Sequence, residues 1–254
     1  MTARPVPSIH VETSSGLVPV ALSTPTGTGP WPGVVVIHDA VGMTADLLNQ
    51  TQWLADAGFL AVAPDLLRGG TIARCLKDMI RSYATWEGRT FEQIEAVRTW
   101  LSDRPDCTGR VGIIGFCMGG GFALGLAPGH GFDAASANYG ALPKDADRFF
   151  AGSCPIVGSY GRRDRSLRGA AERLRQSLES AGVVHDVHEY PDAGHGFMND
   201  PGPGEVPVVF QLLGATVHTA YHEPSAMDAR QRITSFFREH LSGEPMPGPP
   251  PHKS

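Results

Sequence analysis

Gly115-Phe116-Cys117-Met118-Gly119 is the stretch on which the reading of this chain turns. Before it, Val111–Ile114 is an apolar run of the kind that forms a buried strand. After it, Gly119–Leu126 is small and apolar and opens a helix. A strand that passes into a helix across G-x-C-x-G must turn sharply, and the residue at the apex is strained. Glycines two positions to either side leave room for that turn. Such an elbow lifts the thiol above the sheet edge and aims the next backbone N–H at a reacting carbonyl. The competing reading is a small, inert, buried thiol, which is what most free cysteines are.

Two later stretches decide between these. An elbow nucleophile needs an acid and then a histidine, in that chain order. Pro155–Tyr160 is an apolar run that ends in Gly161-Arg162-Arg163-Asp164, a carboxylate just past a strand end. Val183–Tyr190 alternates like a strand and breaks into Pro191-Asp192-Ala193-Gly194-His195-Gly196-Phe197. Singly, Asp164 reads as a loop or cap residue and His195 as part of a turn. Together, Cys117, Asp164 and His195 all fall just beyond predicted strand ends, where open α/β sheets carry their sites.

On these residues the chain resembles the dienelactone hydrolase family, the cysteine branch of the α/β-hydrolases. The likeness takes in the elbow, AGHGF at 193–197, VVVIHDAVG at 34–42, AVAPDL at 61–66 and ANYG at 137–140. It implies an ester or lactone hydrolase with Cys117 as nucleophile, His195 as base and Asp164 as the group that orients the imidazole. Met118 follows the nucleophile and supplies one oxyanion-hole N–H; the resemblance implies Ala40 as the second. It also implies a carboxylate touching the resting thiol, commonly Glu and here Asp39, whose other reading is a loop residue bonding neighbouring amides. Members that open dienelactone carry an arginine four positions after the catalytic histidine to hold the substrate carboxylate. This chain has Asn199 there, which points to neutral esters or lactones. Arg81 is the alternative source of positive charge, with a solvated helix position as its competing reading.

Composition agrees. The 254 residues include 21 Lys plus Arg against 26 Asp plus Glu, a net charge of −5 without a basic block, which argues against nucleic acid as partner. No apolar run approaches the ~18 residues of a membrane helix, and MTARPVPSIHVET lacks the apolar segment of a secretory signal. Cys75, Cys107, Cys117 and Cys154 form no C-x-x-C pair, so reduced thiols and a cytoplasmic location are expected. Among ten histidines, His185 and His188 point to opposite faces of a strand. His218 and His222 have helical spacing but no intervening Glu. No metal and no organic cofactor are therefore expected.

Along the chain, Ile9–Thr13 and Leu17–Leu22 read as a hairpin. Thr24–Pro32 is a turn-rich connector, and Val34–Ile37 reads as a strand covered on both faces. Leu47–Ala57 has helical spacing and stops at Gly58. Phe59–Ala63 is the next strand; Arg74–Tyr83, Phe91–Ser102, Arg168–Ala181 and Ala226–Leu241 are helices. The alternation predicts an α/β fold of the α/β-hydrolase kind: a mostly parallel central sheet, helices on both faces and an N-terminal antiparallel hairpin. A single domain spans 1–242, with an excursion at 200–225 that is a lid, a subunit contact or a plain surface loop. The Pro-rich tail 243–254 is expected to be disordered. A small-molecule ester or lactone is the expected partner, and the protein a monomer or homodimer. The alternative reading is a non-catalytic α/β-hydrolase-like protein that binds a small ligand or senses redox state through Cys117. A peptidase on the same fold is weakened by the lack of a substrate-gating domain.

Overall fold

The structure, a computed structural model, describes residues 9–68, 72–206 and 220–241. The expected tail, the middle of the expected excursion (207–219) and His218 lie outside the described residues. Strand β1 (Ile9–Thr13) pairs with β2 (Gly16–Ser23) as the predicted hairpin. They are followed by β3 (Trp31–Ile37), α1 (Ala45–Asp56), β4 (Leu60–Pro64), α2 (Ile72–Thr85), α3 (Arg89–Ser102) and β5 (Cys107–Phe116). Then come α4 (Met118–Leu126), β6 (Ala134–Asn138), the one-turn α5 (Ala146–Phe149), β7 (Ile156–Gly161), α6 (Ala170–Ser180), β8 (His185–Tyr190) and α7 (Glu223–Leu241). The eight strands form one sheet in the order β1-β2-β4-β3-β5-β6-β7-β8. Pairing is antiparallel from β1 to β2 and from β2 to β4, and parallel across the rest.

The period of two along β3 decides which side chain meets which layer. Val35 and Ile37 enter the apolar cluster on one face, and Val34 and Val36 enter the other. The first cluster takes side chains of α2, α3, α4 and α6; the second takes those of α1 and α7. All four β3 residues are fully buried, each worth about 1.5–3 kcal/mol of apolar burial. The end of β3, and the loop that leaves it, are fixed accordingly.

Helix α1 shows how local sequence sets an element boundary. The Thr44 side chain accepts from the Leu47 N–H at 3.2 Å, a side-chain cap at the N-terminus. At the other end the Gly58 N–H reaches the Ala55 carbonyl and the Phe59 N–H reaches that of Leu54, both at 3.0 Å. That double closure needs the positive φ (98°) that Gly58 supplies, as in a Schellman motif.

Two elements depart from expectation. Strand β6, Ala-Ala-Ser-Ala-Asn, carries no β-branched residue to announce it, yet every position is buried. Its neighbour α4 accounts for the small side chains on one face, Ala135 and Ala137, because the two backbones are close: a Cβ at Gly120 would lie 2.6 Å from the Asn138 carbonyl oxygen. The last helix begins at Glu223, not Ala226, so the excursion is shorter than expected. Pro224 falls in its first turn, where a missing N–H forfeits no helical bond.

Candidate active site

The elbow is built as the glycine spacing requires. Cys117 adopts φ 55° and ψ −113°, one of only three non-glycine residues with positive φ among those described. A Cβ on Gly115 would stand 1.9 Å from the Gly119 carbonyl oxygen, and one on Gly119 would stand 2.3 Å from that of Ile37. No side chain fits at either place. The close approach also brings the helix start, two residues after Cys117, against the end of β3. The turn is held by the Cys117 N–H donating to Asn138 at 3.0 Å and by Gly121 N–H closing back on Cys117 at 3.2 Å.

His195, on the loop after β8, donates from Nδ1 to Oδ2 of Asp164, on the loop after β7, at 2.6 Å. The same ring interacts with the Cys117 thiol. Burial would depress the imidazole, but the Asp164 hydrogen bond and the interaction with Cys117 outweigh it and take its pKa to about 10. Burial would likewise raise Asp164; hydrogen bonds from His195 and Ser166 reverse the sign and hold it below 3.8. Oδ1 of Asp164 accepts from the Ser166 N–H at 2.9 Å and from the Ser166 hydroxyl at 2.6 Å. Both carboxylate oxygens are therefore committed, which fixes the plane against which the imidazole sits. The structure thus brings all three sequence-selected residues together. Away from this group, desolvation pushes the Cys154 thiol up to about 12 and raises that of Cys107.

Around this group stand residues that the sequence did not single out. Tyr139 at φ 42° is fully buried and packs edge-on to the His195 ring, 5.3 Å between centroids. Its hydroxyl donates to Oδ1 of Asn199, whose Nδ2 donates to the buried Asp46 at 2.6 Å. Asp46 also accepts from the Asp200 N–H at 2.9 Å. Tyr83 reaches in from α2, and its hydroxyl accepts from the Ala141 N–H at 3.2 Å. Burial, together with the charge at Cys117, pushes its pKa up to about 12. A D-x-S signal marks Ser166 in the sequence, and the ANYG stretch takes in Tyr139; nothing local marks Tyr83 or Asp46.

Three expected contacts have other placements. The Asp39 side chain closes on its own loop, Oδ1 accepting from the Val41 N–H at 2.8 Å. Desolvation raises its pKa. Asn199 has both ends of its amide bound to Tyr139 and Asp46. Arg81 is exposed on α2, in a polar depression with Asp78, Arg89 and Glu92. Tyr83, two residues on and so some 200° around the helix, is the one that faces the site. The N–H groups of Met118 and Ala40 have no acceptor among the described residues. Among those residues no group of three or more His, Cys, Asp or Glu is placed to hold a metal ion. None of their helices is long and apolar enough to cross a membrane.

The sheet order, the antiparallel start and the elbow define the fold as that of the α/β-hydrolases. A sequence model of the dienelactone hydrolase family matches residues 18–241, and the chain belongs to that family of hydrolases. It is 26% identical over 208 residues to a carboxymethylenebutenolidase of Pseudomonas putida, covering 78% of this chain and 88% of the relative. A Yersinia pestis protein provisionally given the same name is 28% identical over 239 residues, 87% of this chain and 83% of that one. A crystal structure from Klebsiella pneumoniae, provisionally described as a dienelactone hydrolase, superposes with a TM-score of 0.73 at 26% identity. It covers 91% of this chain and 96% of its own.

Proposed function

We propose that this protein hydrolyses neutral carboxylic esters or lactones through a Cys117–His195–Asp164 triad and a thioester intermediate. The observation that carries the reading is one imidazole held at 2.6 Å by Asp164 while it interacts with a thiol at a strained elbow. At neutral pH His195, its pKa taken to about 10, already holds the thiol proton, and the thiolate sulfur forms a bond to the carbonyl carbon as the π pair moves onto oxygen. That oxyanion is received by the N–H groups of Met118 and Ala40. Collapse expels the alkoxide, which leaves with the proton from His195. Water then attacks the thioester with His195 as base, and the acid departs as the thiolate and the protonated His195 are restored.

The preference for neutral substrates rests on the site's charge. Burial raises the Tyr139 hydroxyl most; the fields of Asp46, Asp39 and Cys117 add to it, and Arg230, the cation that opposes them, is hydrogen-bonded to Gln50. A substrate carboxylate would therefore meet carboxylates and a neutral amide, with its desolvation uncompensated. The test is Cys117→Ala with 4-nitrophenyl acetate. Wild type should give a burst of nitrophenol and an acyl adduct on Cys117 by mass spectrometry. The alanine variant should lose at least about a hundredfold in turnover with an unchanged fold. Turnover at the wild-type rate in Cys117→Ala would end the proposal.

A further inference from the structure

The loop that leaves β3 is built around a single peptide plane. The Asp39 carbonyl oxygen accepts from the His38 ring at Nδ1, 2.6 Å away, and from the Gly42 N–H at 3.3 Å. The same His38 ring takes the Leu66 N–H onto Nε2 at 3.2 Å. Nε2 is therefore the lone-pair nitrogen, so Nδ1 carries the proton and donates to Asp39. His38 is fully buried, and this tautomer ties the end of β3 to the residues that follow β4. Within the same turn, the Asp39 carboxylate holds the Val41 N–H at 2.8 Å.

The Asp39 carbonyl and the Ala40 N–H belong to one planar trans peptide and point in opposite directions. Fixing the carbonyl fixes the N–H. The turn spends the N–H groups of Val41 and Gly42 internally and leaves that of Ala40 without an acceptor among the described residues. The start of this loop lies against the elbow, since a Cβ on Gly119 would come 2.7 Å from the His38 carbonyl oxygen.

We infer that His38 and Asp39 are positioning residues that clamp the Asp39–Ala40 peptide so that the Ala40 N–H faces the oxyanion formed on a Cys117-bound carbonyl. The inference rests on the proposed thiol chemistry and gives Asp39 a geometric role that needs an acceptor atom, not a charge. It also accounts for Asp at this position. A side chain one methylene longer would not close so tightly on the amide two residues along.

The experiment separates acyl transfer from thiol reactivity. Ester turnover needs the oxyanion donors, whereas alkylation of Cys117 by iodoacetamide displaces iodide and forms no oxyanion. Gln at position 38 offers an amide where Nε2 stood and leaves the Asp39 carbonyl without its ring donor; Asn offers one where Nδ1 stood. His38→Gln and Asp39→Ala should lower kcat for 4-nitrophenyl acetate about ten- to a hundredfold with little change in KM, part of the 10²–10³ lost with an oxyanion donor. The rate of Cys117 alkylation should stay near wild type in both. Asp39→Asn keeps an oxygen for Val41 and should recover to within about threefold of wild type, and His38→Asn should recover in part. If turnover and alkylation fall together, or Asp39→Asn is as impaired as Asp39→Ala, these residues act on the thiol and the inference is overturned. Should His38→Gln not fold, the Asp39→Ala and Asp39→Asn pair carries the same decision. If iodoacetamide leaves wild-type turnover intact, the underlying thiol chemistry is what fails, whatever the variants do.

Discussion

Asp164→Asn tests the electrostatics of the site most directly, because the structure dictates how the new amide must sit. Ser166 donates two hydrogen bonds to Oδ1, so the amide oxygen of Asn is drawn to that side. Its NH₂ then confronts the N–H at Nδ1 of His195, donor against donor. The ring is relieved by moving its proton to Nε2, and the nitrogen facing Cys117 loses the lone pair that takes the thiol proton. The wild-type rise from 6.5 to about 10 at His195 corresponds to on the order of 5 kcal/mol favouring the cation, shared between Asp164 and Cys117. Losing the carboxylate share and the tautomer together should lower kcat/KM by about 10³–10⁴ at neutral pH. The alkaline limb of the rate should also move well below pH 10. Stability carries a second signature. A histidine whose folded pKa is raised stabilises the fold fully below about 6.5 and loses that contribution as pH rises through about 10. Asp164, held below 3.8, contributes above that value and loses its share as pH falls. Urea midpoints of wild type should therefore decline from neutral pH toward pH 10, and those of Asp164→Asn should lose the carboxylate's share of that slope. A variant within tenfold of wild-type kcat/KM, or one with an unchanged alkaline limb, would refute the reasoning.

Three further outcomes follow from the same geometry. Gly119→Ala drives a methyl group to 2.3 Å from one backbone oxygen and 2.7 Å from another. Neither is a flexible side-chain end, so urea unfolding should show a loss at or above the upper end of the roughly 1–3 kcal/mol typical of overpacking; a wild-type midpoint would contradict the elbow packing. Tyr139→Phe leaves the Asn199 oxygen without its donor and should cost about 1–3 kcal/mol in the same assay, with the ring contact to His195 retained and kcat reduced modestly. For matched substrates, a carboxymethylene lactone and its methyl ester, kcat/KM should favour the ester; clear preference for the free acid would require a cation that the Asn199 amide does not supply.

What the sequence made legible, and what it hid, divides along the range of the interactions involved. Val34–Ile37, Gly58 and the glycines around Cys117 act through their own backbone and nearest layer, so period and composition exposed them. Strand β6 did not show itself because it carries none of the β-branched side chains by which a buried strand is recognised, and on one face α4 packs too close for them. The triad lay in between. Cys117, Asp164 and His195 are far apart in sequence, but each follows a strand in the parallel part of one sheet, so their order and their placement past strand ends pointed to their convergence. Asn199 and Asp39 show where that logic stops. Nothing near Asn199 in sequence indicates that its amide binds Asp46, 153 residues earlier, and a position that suits a substrate-holding arginine is instead taken up in bracing Tyr139 behind the His195 imidazole. Asp39 differs from the usual family glutamate by one methylene, and that length decides whether a carboxylate extends toward a thiol or closes on its own loop. A resemblance carries the residues of a reaction across a family through fold topology; it does not carry side-chain lengths, and those assign Asp39 and Asn199 their work in this protein.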